Sequence, residues 1–166
     1  MAEKFHGVIP PVVTPLTADG EVDVVSFERS LNRMIEAGVD GLFTLGSSGE
    51  VAFSTDKRRR EIIETVMRIV DGRVPVLVGC IDTETNRVIE HAKEAKELGA
   101  AAIVATAPFY ALGGMAEVER HFRLIHEAVP DLPLFAYDIP VCVHTKLPGA
   151  LLVKLGKDGV LAGVKD

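Results

Sequence analysis

Short apolar runs alternate with amphipathic stretches along the whole chain. Val8–Thr14, Gly41–Leu45, Val74–Gly79, Ala101–Thr106, Leu134–Tyr137 and Val160–Val164 are rich in Val, Ile, Leu and Ala, and are bounded by Gly, Pro or Asp. Such runs predict strands, and their near-continuous apolarity predicts burial on both faces. Between them, Val24–Ala37 carries Phe27, Leu31, Met34 and Ile35 at helical spacing, with Gly38 placed to end the helix. Thr55 stands where it can cap a helix running to Val70, whose inner face holds Ile62, Ile63, Val66 and Ile69. Thr85–Leu98 closing on Gly99, Met115–Ala128, and Gly149–Leu155 stopping at Gly156 complete the helices.

Strand and helix therefore alternate throughout, with strand starts roughly thirty residues apart, the signature of parallel βα units. The expectation is one α/β domain over residues 1–166. Periodicity leaves two architectures open, a doubly wound sheet or a TIM (β/α)8 barrel. The first strand–helix turn lacks the G-x-G-x-x-G fingerprint, which weakens the dinucleotide-binding sheet. In a barrel this chain would supply the first six strands and stop after the sixth. Such a piece alone is expected to be neither closed nor active, and to associate through its unpaired strand edges.

Composition narrows the function classes. The chain has 166 residues, 48% hydrophobic and 25% charged, which suits a soluble globular domain. A formal net charge of -6 gives no electrostatic support to nucleic-acid binding. The run Lys57-Arg58-Arg59-Arg60 leads into an apolar helical pattern, so it reads as a solvated helix face. No apolar stretch approaches a membrane span, and Met1 to Val13 holds no signal-peptide core. Cys80 and Cys142 form neither a CxxC pair nor a metal signature. They are expected to be buried thiols in a reduced, cytoplasmic compartment.

In either architecture chemistry gathers at the C-terminal strand ends. Gly46-Ser47-Ser48-Gly49 follows the second strand; backbone amides and two hydroxyls there could hold a carboxylate or phosphate, although an ordinary Gly/Ser turn has the same spacing. Lys165 follows an apolar run, where partial desolvation favours the neutral amine that attacks a keto carbonyl to form a Schiff base. A surface lysine at a strand end is the bland alternative. Tyr137 ends the neighbouring strand and could relay protons, or simply pack at a rim with its hydroxyl in water. His144 reads as a solvated loop histidine.

Taken together, these residues resemble the dihydrodipicolinate synthase and N-acetylneuraminate lyase family of class I aldolases. Gly46-Ser47-Ser48-Gly49-Glu50 is similar to its Gly-Thr-Thr-Gly-Glu loop. Pro108-Phe109-Tyr110, Tyr137-Asp138-Ile139-Pro140 and Gly163-Val164-Lys165-Asp166 match further signatures in order and spacing, as does the opening Gly7–Pro15. The resemblance implies a TIM barrel in which Lys165 forms an imine with pyruvate or another 2-oxo acid. It implies that Ser47, Ser48 and Gly49 hold the substrate carboxylate. Tyr137 would move the proton in a relay with Ser47 and Tyr110, the last reaching in from a neighbouring subunit of a homodimer or homotetramer. No metal or organic cofactor is implied, because the lysine is the electron sink.

Two departures bear on the substrate. Where synthases of the family carry an arginine two residues after the proline of the tyrosine motif, this chain has Cys142. Ala111-Leu112-Gly113-Gly114 also departs from the usual Asn/Lys-Pro pattern. A lyase acting on a 2-keto-3-deoxy sugar acid or related 2-oxo acid is therefore expected. Dihydrodipicolinate synthase itself, condensing pyruvate with aspartate semialdehyde, is one alternative. A non-catalytic shortened barrel that binds a 2-oxo acid is another.

Overall fold

The computed structural model describes residues 5–166. The first four residues of the N-terminal stretch considered above lie outside them. Helices and five parallel strands alternate, as the sequence pattern predicts. The chain divides into two compact units: Met1–Gly79 with Glu97–Ala101, and Cys80–Lys96 with Ala102–Asp166.

In the first unit, β1 (Leu42–Thr44) pairs in parallel with β2 (Val76–Gly79). Every residue of both strands is buried. The predicted first strand is present as an extended segment with a single parallel bridge, Pro11 to Phe43. Its ladder is limited to Val12 N–H on the Phe43 carbonyl (2.8 Å) and Phe43 N–H on the Pro10 carbonyl (3.0 Å). Pro10 and Pro11 have no N–H to donate, which is why the pairing stays short. Pro11 and Val13 are exposed while Val12 and Thr14 are buried, so this stretch is covered on one face rather than two.

Helix α1 (Val24–Glu36) starts at Asp23, whose carboxylate accepts from Ser26 N–H, and Gly38 follows in the left-handed conformation. Helix α2 (Asp56–Val70) is capped by Thr55 and buries Ile62, Ile63, Val66 and Ile69, as their spacing predicts. The basic run at its start is not wholly solvated. Four consecutive residues wrap the full circumference of a helix, so one must face inward. That residue is Arg59, 6% exposed, which donates to the carbonyls of Val51 (3.2 Å) and Ser54 (3.4 Å). It thereby anchors a 3-10 turn, Val51–Phe53, for which the sequence carries no periodic signal.

In the second unit, β3 (Ala102–Thr106), β4 (Leu134–Tyr137) and β5 (Gly163–Lys165) pair in parallel in chain order. Helix α3 (Thr85–Glu97) precedes β3, and α4 (Met115–Ala128) links β3 to β4. A one-turn helix, α5 (Pro140–Val143), and α6 (Gly149–Lys157) join β4 to β5. Two boundaries in this unit differ from the sequence reading by more than one residue. Helix α6 passes through Gly156 and turns only at Gly159, the residue with positive φ. Strand β5 begins at Gly163 because Val160 and Leu161 still direct their N–H groups to the Leu155 carbonyl, closing α6.

His121 of α4 is 1% exposed and ties three elements together. Its Nε2 lies 3.0 Å from the Thr106 carbonyl, and its Nδ1 lies 3.0 Å from the Thr85 hydroxyl. Burial pushes its pKa from 6.5 down to about 4, outweighing the hydrogen bond to Thr106. The neutral ring thus donates through Nε2 and accepts at Nδ1. Unfolded chains take up this proton below about 6.5, whereas folded chains stay neutral to about 4. Stability should therefore fall as pH drops through that window and level off beneath it. Denaturant titration at pH 7 and pH 5 should show a loss of about 2 kcal/mol from this residue. An equal loss in His121→Gln would refute the assignment.

Candidate active site

The site is built from the row of residues that ends three neighbouring strands. Thr106 pairs with Tyr137, and Tyr137 pairs with Lys165. Partners in register on parallel strands direct their side chains to the same face. The two residues that the sequence nominated for imine and proton chemistry are consequently neighbours. Lys165 Nζ stands 3.7 Å from the centroid of the Tyr137 ring, a cation–π contact. Tyr137 is buried and Lys165 half-buried. Lys165 is the last residue of β5 rather than the residue after it, so its backbone is held in the sheet.

The layer beneath this row fixes its height. Val104, Phe135 and Gly163 form the next row on the same face. A Cβ at Gly163 would stand 2.5 Å from Phe135 Cε1 and 2.7 Å from Cδ1, so the ring occupies the space a side chain would need. Above the row, Asp138 acts through both backbone and side chain. Its N–H donates to the Lys165 carbonyl (2.8 Å). Its buried carboxylate accepts from Leu147 N–H (3.1 Å) and pairs with Lys146 Nζ (2.6 Å). This pairing holds the Lys146 ammonium above its ordinary pKa. Sequence analysis assigns Asp138 no role beyond membership of a motif, although an aspartate directly after an apolar strand is itself a signal.

Ser47, Ser48 and Gly49 belong to the first unit, in a loop after β1. Leu45 and Glu50 bracket it, both in the left-handed region (φ 55° and 57°). The glycines between them do not have positive φ; they supply room instead. A Cβ at Gly46 would lie 2.6 Å from the Phe43 ring, and one at Gly49 would lie 3.1 Å from Val12 O and Leu45 N. At the end of β2, a Cβ on Gly79 would overlap the Leu45 carbonyl. The Thr14 hydroxyl pins the Gly49 carbonyl at 2.9 Å. Gly49 and Glu50 donate their N–H groups within the turn, to Gly46 and Ser47. The amides of Ser47 and Ser48 have no acceptor among the described residues, and both serines are exposed. Two adjacent amides with two hydroxyls make an anion cradle chemically possible.

The family model for the dihydrodipicolinate synthetase family matches residues 4–166. The chain belongs to that family. It is 38% identical over 98% of its length to a DapA-like lyase of Halobacterium salinarum, covering 53% of that protein. A 4-hydroxy-tetrahydrodipicolinate synthase of Phenylobacterium zucineum is 35% identical over 98% of the chain, which covers 54% of that relative. The crystal structure of YagE from Escherichia coli K12, a member of the family solved in complex with pyruvate, superposes with a TM-score of 0.94 at 37% identity. The match covers 98% of this chain and 54% of YagE. The chain thus spans about half the length of the relatives it matches and supplies part of a dihydrodipicolinate synthase-type barrel.

Against the family pattern, the remaining predicted residues are set apart. Tyr110 is 94% exposed on the loop between β3 and α4, in a left-handed conformation (φ 74°), beside a groove of about 380 Å³ that also involves Phe109, Leu112, Glu84 and Glu117. Within this chain it does not join Tyr137. Cys142 lies on α5 and is exposed; only Cys80 is the buried thiol expected of both. On this one-turn helix Val143 is buried, while Val141 and Cys142 are exposed. His144 is exposed and ends α5 in the left-handed conformation, as befits a solvated histidine. The packing of Phe135 on Gly163 gives a direct test. Gly163→Ala should cost about 1–3 kcal/mol in chemical denaturation, because the half-buried Phe135 ring must shift to admit the added methyl group. An unchanged midpoint would show that the ring turns aside freely.

Proposed function

We propose that the protein containing this chain is a class I aldolase, with Lys165 as the imine-forming lysine and a 2-keto-3-deoxy sugar acid or related 2-oxo acid as substrate. The observation that carries this reading is the contact between Lys165 Nζ and the Tyr137 ring at the ends of adjacent strands. It is supported by the pyruvate complex of YagE, a relative whose naming as a 2-dehydro-3-deoxy-D-gluconate aldolase is itself provisional.

In this reading the neutral amine of Lys165 attacks the keto carbon, and Tyr137 gives its phenolic proton to the departing hydroxyl, so that water leaves and an iminium and a phenolate remain. Tyr137 accepts the proton of the hydroxyl on the carbon beyond the scissile bond. That bond breaks as an aldehyde departs, and its electron pair is drawn into the iminium to give an enamine. The enamine regains a proton at carbon, and water then releases pyruvate and the free lysine. Ser47, Ser48 and Gly49 hold the substrate carboxylate through backbone amides and hydroxyls, and Tyr110 completes the relay from a neighbouring subunit of a homodimer or homotetramer. The lysine is the electron sink, so the reaction calls for no metal or organic cofactor. A cytoplasmic enzyme accords with two cysteines that form no CxxC pair; no helix among the described residues is long and apolar enough to cross a membrane.

Borohydride with pyruvate should modify Lys165 alone in the full-length protein, as read by peptide mass mapping. Modification that survives Lys165→Ala would defeat the assignment. Tyr137→Phe should lower kcat by about 10²–10⁴-fold with little change in pyruvate trapping. A raised KM with unchanged kcat would make Tyr137 a binding residue.

Cys142 lacks the planar pair of donors that an arginine offers a carboxylate. Lys146, the nearby cation on the same connection, is already held by Asp138. Aspartate semialdehyde should therefore condense poorly with pyruvate, whereas a 2-keto-3-deoxy sugar acid should be cleaved well. Efficient condensation in a side-by-side assay would favour the synthase instead.

A further inference from the structure

The peptide between Tyr137 and Asp138 joins the two reacting strand ends. Its N–H donates to the Lys165 carbonyl at 2.8 Å, directly beside the register pair of Tyr137 with Lys165. The setting of this one peptide therefore bears on both the Tyr137 ring and the Lys165 side chain. The Asp138 side chain, 3% exposed, grips the peptide from the other side. Its two oxygens are taken by consecutive residues of the connection between α5 and α6. One accepts from Leu147 N–H (3.1 Å), and the other pairs with Lys146 Nζ (2.6 Å). Leu147 is itself buried, so its amide is a fixed donor. A carboxylate held at both oxygens cannot turn about its side-chain bonds.

Stability does not account for a charge at this position. A neutral asparagine could accept from Leu147 N–H equally well. Burying a carboxylate costs desolvation, and a buried ion pair gives little net stability over neutral groups of the same shape. What the charge adds is the hold of Lys146 on the second oxygen. Lys146 also lies 3.8 Å from Asp166, the residue after Lys165, but both side chains are exposed and this outer contact adds little. The inner pair is the anchor.

We infer that Lys146 and Asp138 are a pair of positioning residues for the chemistry at Lys165, their ion pair fixing the Tyr137–Asp138 peptide so that the amine and the phenol stay aligned. This inference rests on the reading of Lys165 as the imine-forming lysine. In the step concerned, the iminium of pyruvate loses one methyl proton to the Tyr137 phenolate, and the C–H electron pair forms the enamine double bond. Return of a solvent proton to the same carbon reverses the step. In heavy water the pyruvate methyl group therefore gains deuterium at a rate that reads the alignment of Tyr137 with Lys165.

The test uses the full-length protein with saturating pyruvate in heavy water, well below each variant's thermal midpoint. Borohydride trapping run to completion counts the sites that form the imine, and deuterium uptake is expressed per trapped site. Lys146→Met leaves the buried carboxylate without its cation, so it should melt lower. Its exchange per trapped site should slow by about tenfold, because small misplacements of reacting groups are costly in rate. Lys146→Arg keeps a cation on Asp138 and should exchange within about threefold of the unaltered protein. In Asp138→Asn/Lys146→Met no charge is stranded and the amide still accepts from Leu147, so the midpoint should return. Its exchange per site should nevertheless stay about fivefold or more below the unaltered rate, since one anchor of two is missing. This double variant carries the test should Lys146→Met fold poorly. Exchange per site within about twofold of the unaltered rate in the double variant would overturn the inference and leave the pair a purely structural role. So would Lys146→Arg slowing as much as Lys146→Met. Failure of the unaltered protein to trap pyruvate would instead bring down the reading of Lys165 itself, and this inference with it.

Discussion

The parallel pairing of β5 with β4 is the constraint on which the second unit's chemistry depends. Strand β5 is three residues long, and one of the three is the lysine. Such a short strand cannot hold its register by hydrogen bonding alone. It is set from below by the Phe135 ring over Gly163, and from above by the Asp138 N–H on the Lys165 carbonyl. A slip of one residue would send Lys165 to the opposite face of the sheet and bring Val164 to the row of Tyr137. The glycine, the aromatic ring and the aspartate therefore act together to choose which side chain meets the tyrosine.

The first unit solves a different problem with backbone crowding. Leu45 and Glu50 adopt left-handed conformations that side chains resist, at a cost of order 1–3 kcal/mol each. They persist because the surroundings leave no alternative. Gly79 admits the Leu45 carbonyl, Thr14 holds the Gly49 carbonyl, and the buried guanidinium of Arg59 holds the turn that follows. The outcome is a loop whose two serine amides face away from the protein's own acceptors.

Most of the architecture was legible in the sequence because apolar runs and capping residues act locally. Helix α4 and strand β4 have the bounds their patterns predict, and Thr55 caps α2 through its own hydroxyl. The misjudged places are those where a distant contact overrides the local signal. Tandem prolines shorten the first strand's pairing; Arg59 is drawn inward by carbonyls five and eight residues earlier; α6 continues through a glycine until Leu155 has closed its last turn. Within the candidate site, the strand ends located Tyr137 and Lys165. The contributions of Asp138 and His121 could not be read, because each depends on a partner supplied by another element. Cys142 differs for a similar reason: the sequence shows its small apolar side chain, but not which face of α5 is covered, and that face takes in Val143 and leaves Cys142 exposed.

The ring of Tyr137 under the Lys165 ammonium also gives the molecule an optical reporter. The chain has two tyrosines and no tryptophan, so its ultraviolet emission comes from one fully solvated phenol, Tyr110, and one in contact with the amine. Formation of the proposed imine there would change the charge distribution and polarisability directly over one of the two emitters. On the proposed reading, occupancy of the lysine is thus coupled to the intrinsic fluorescence of the chain, with no dye or label attached.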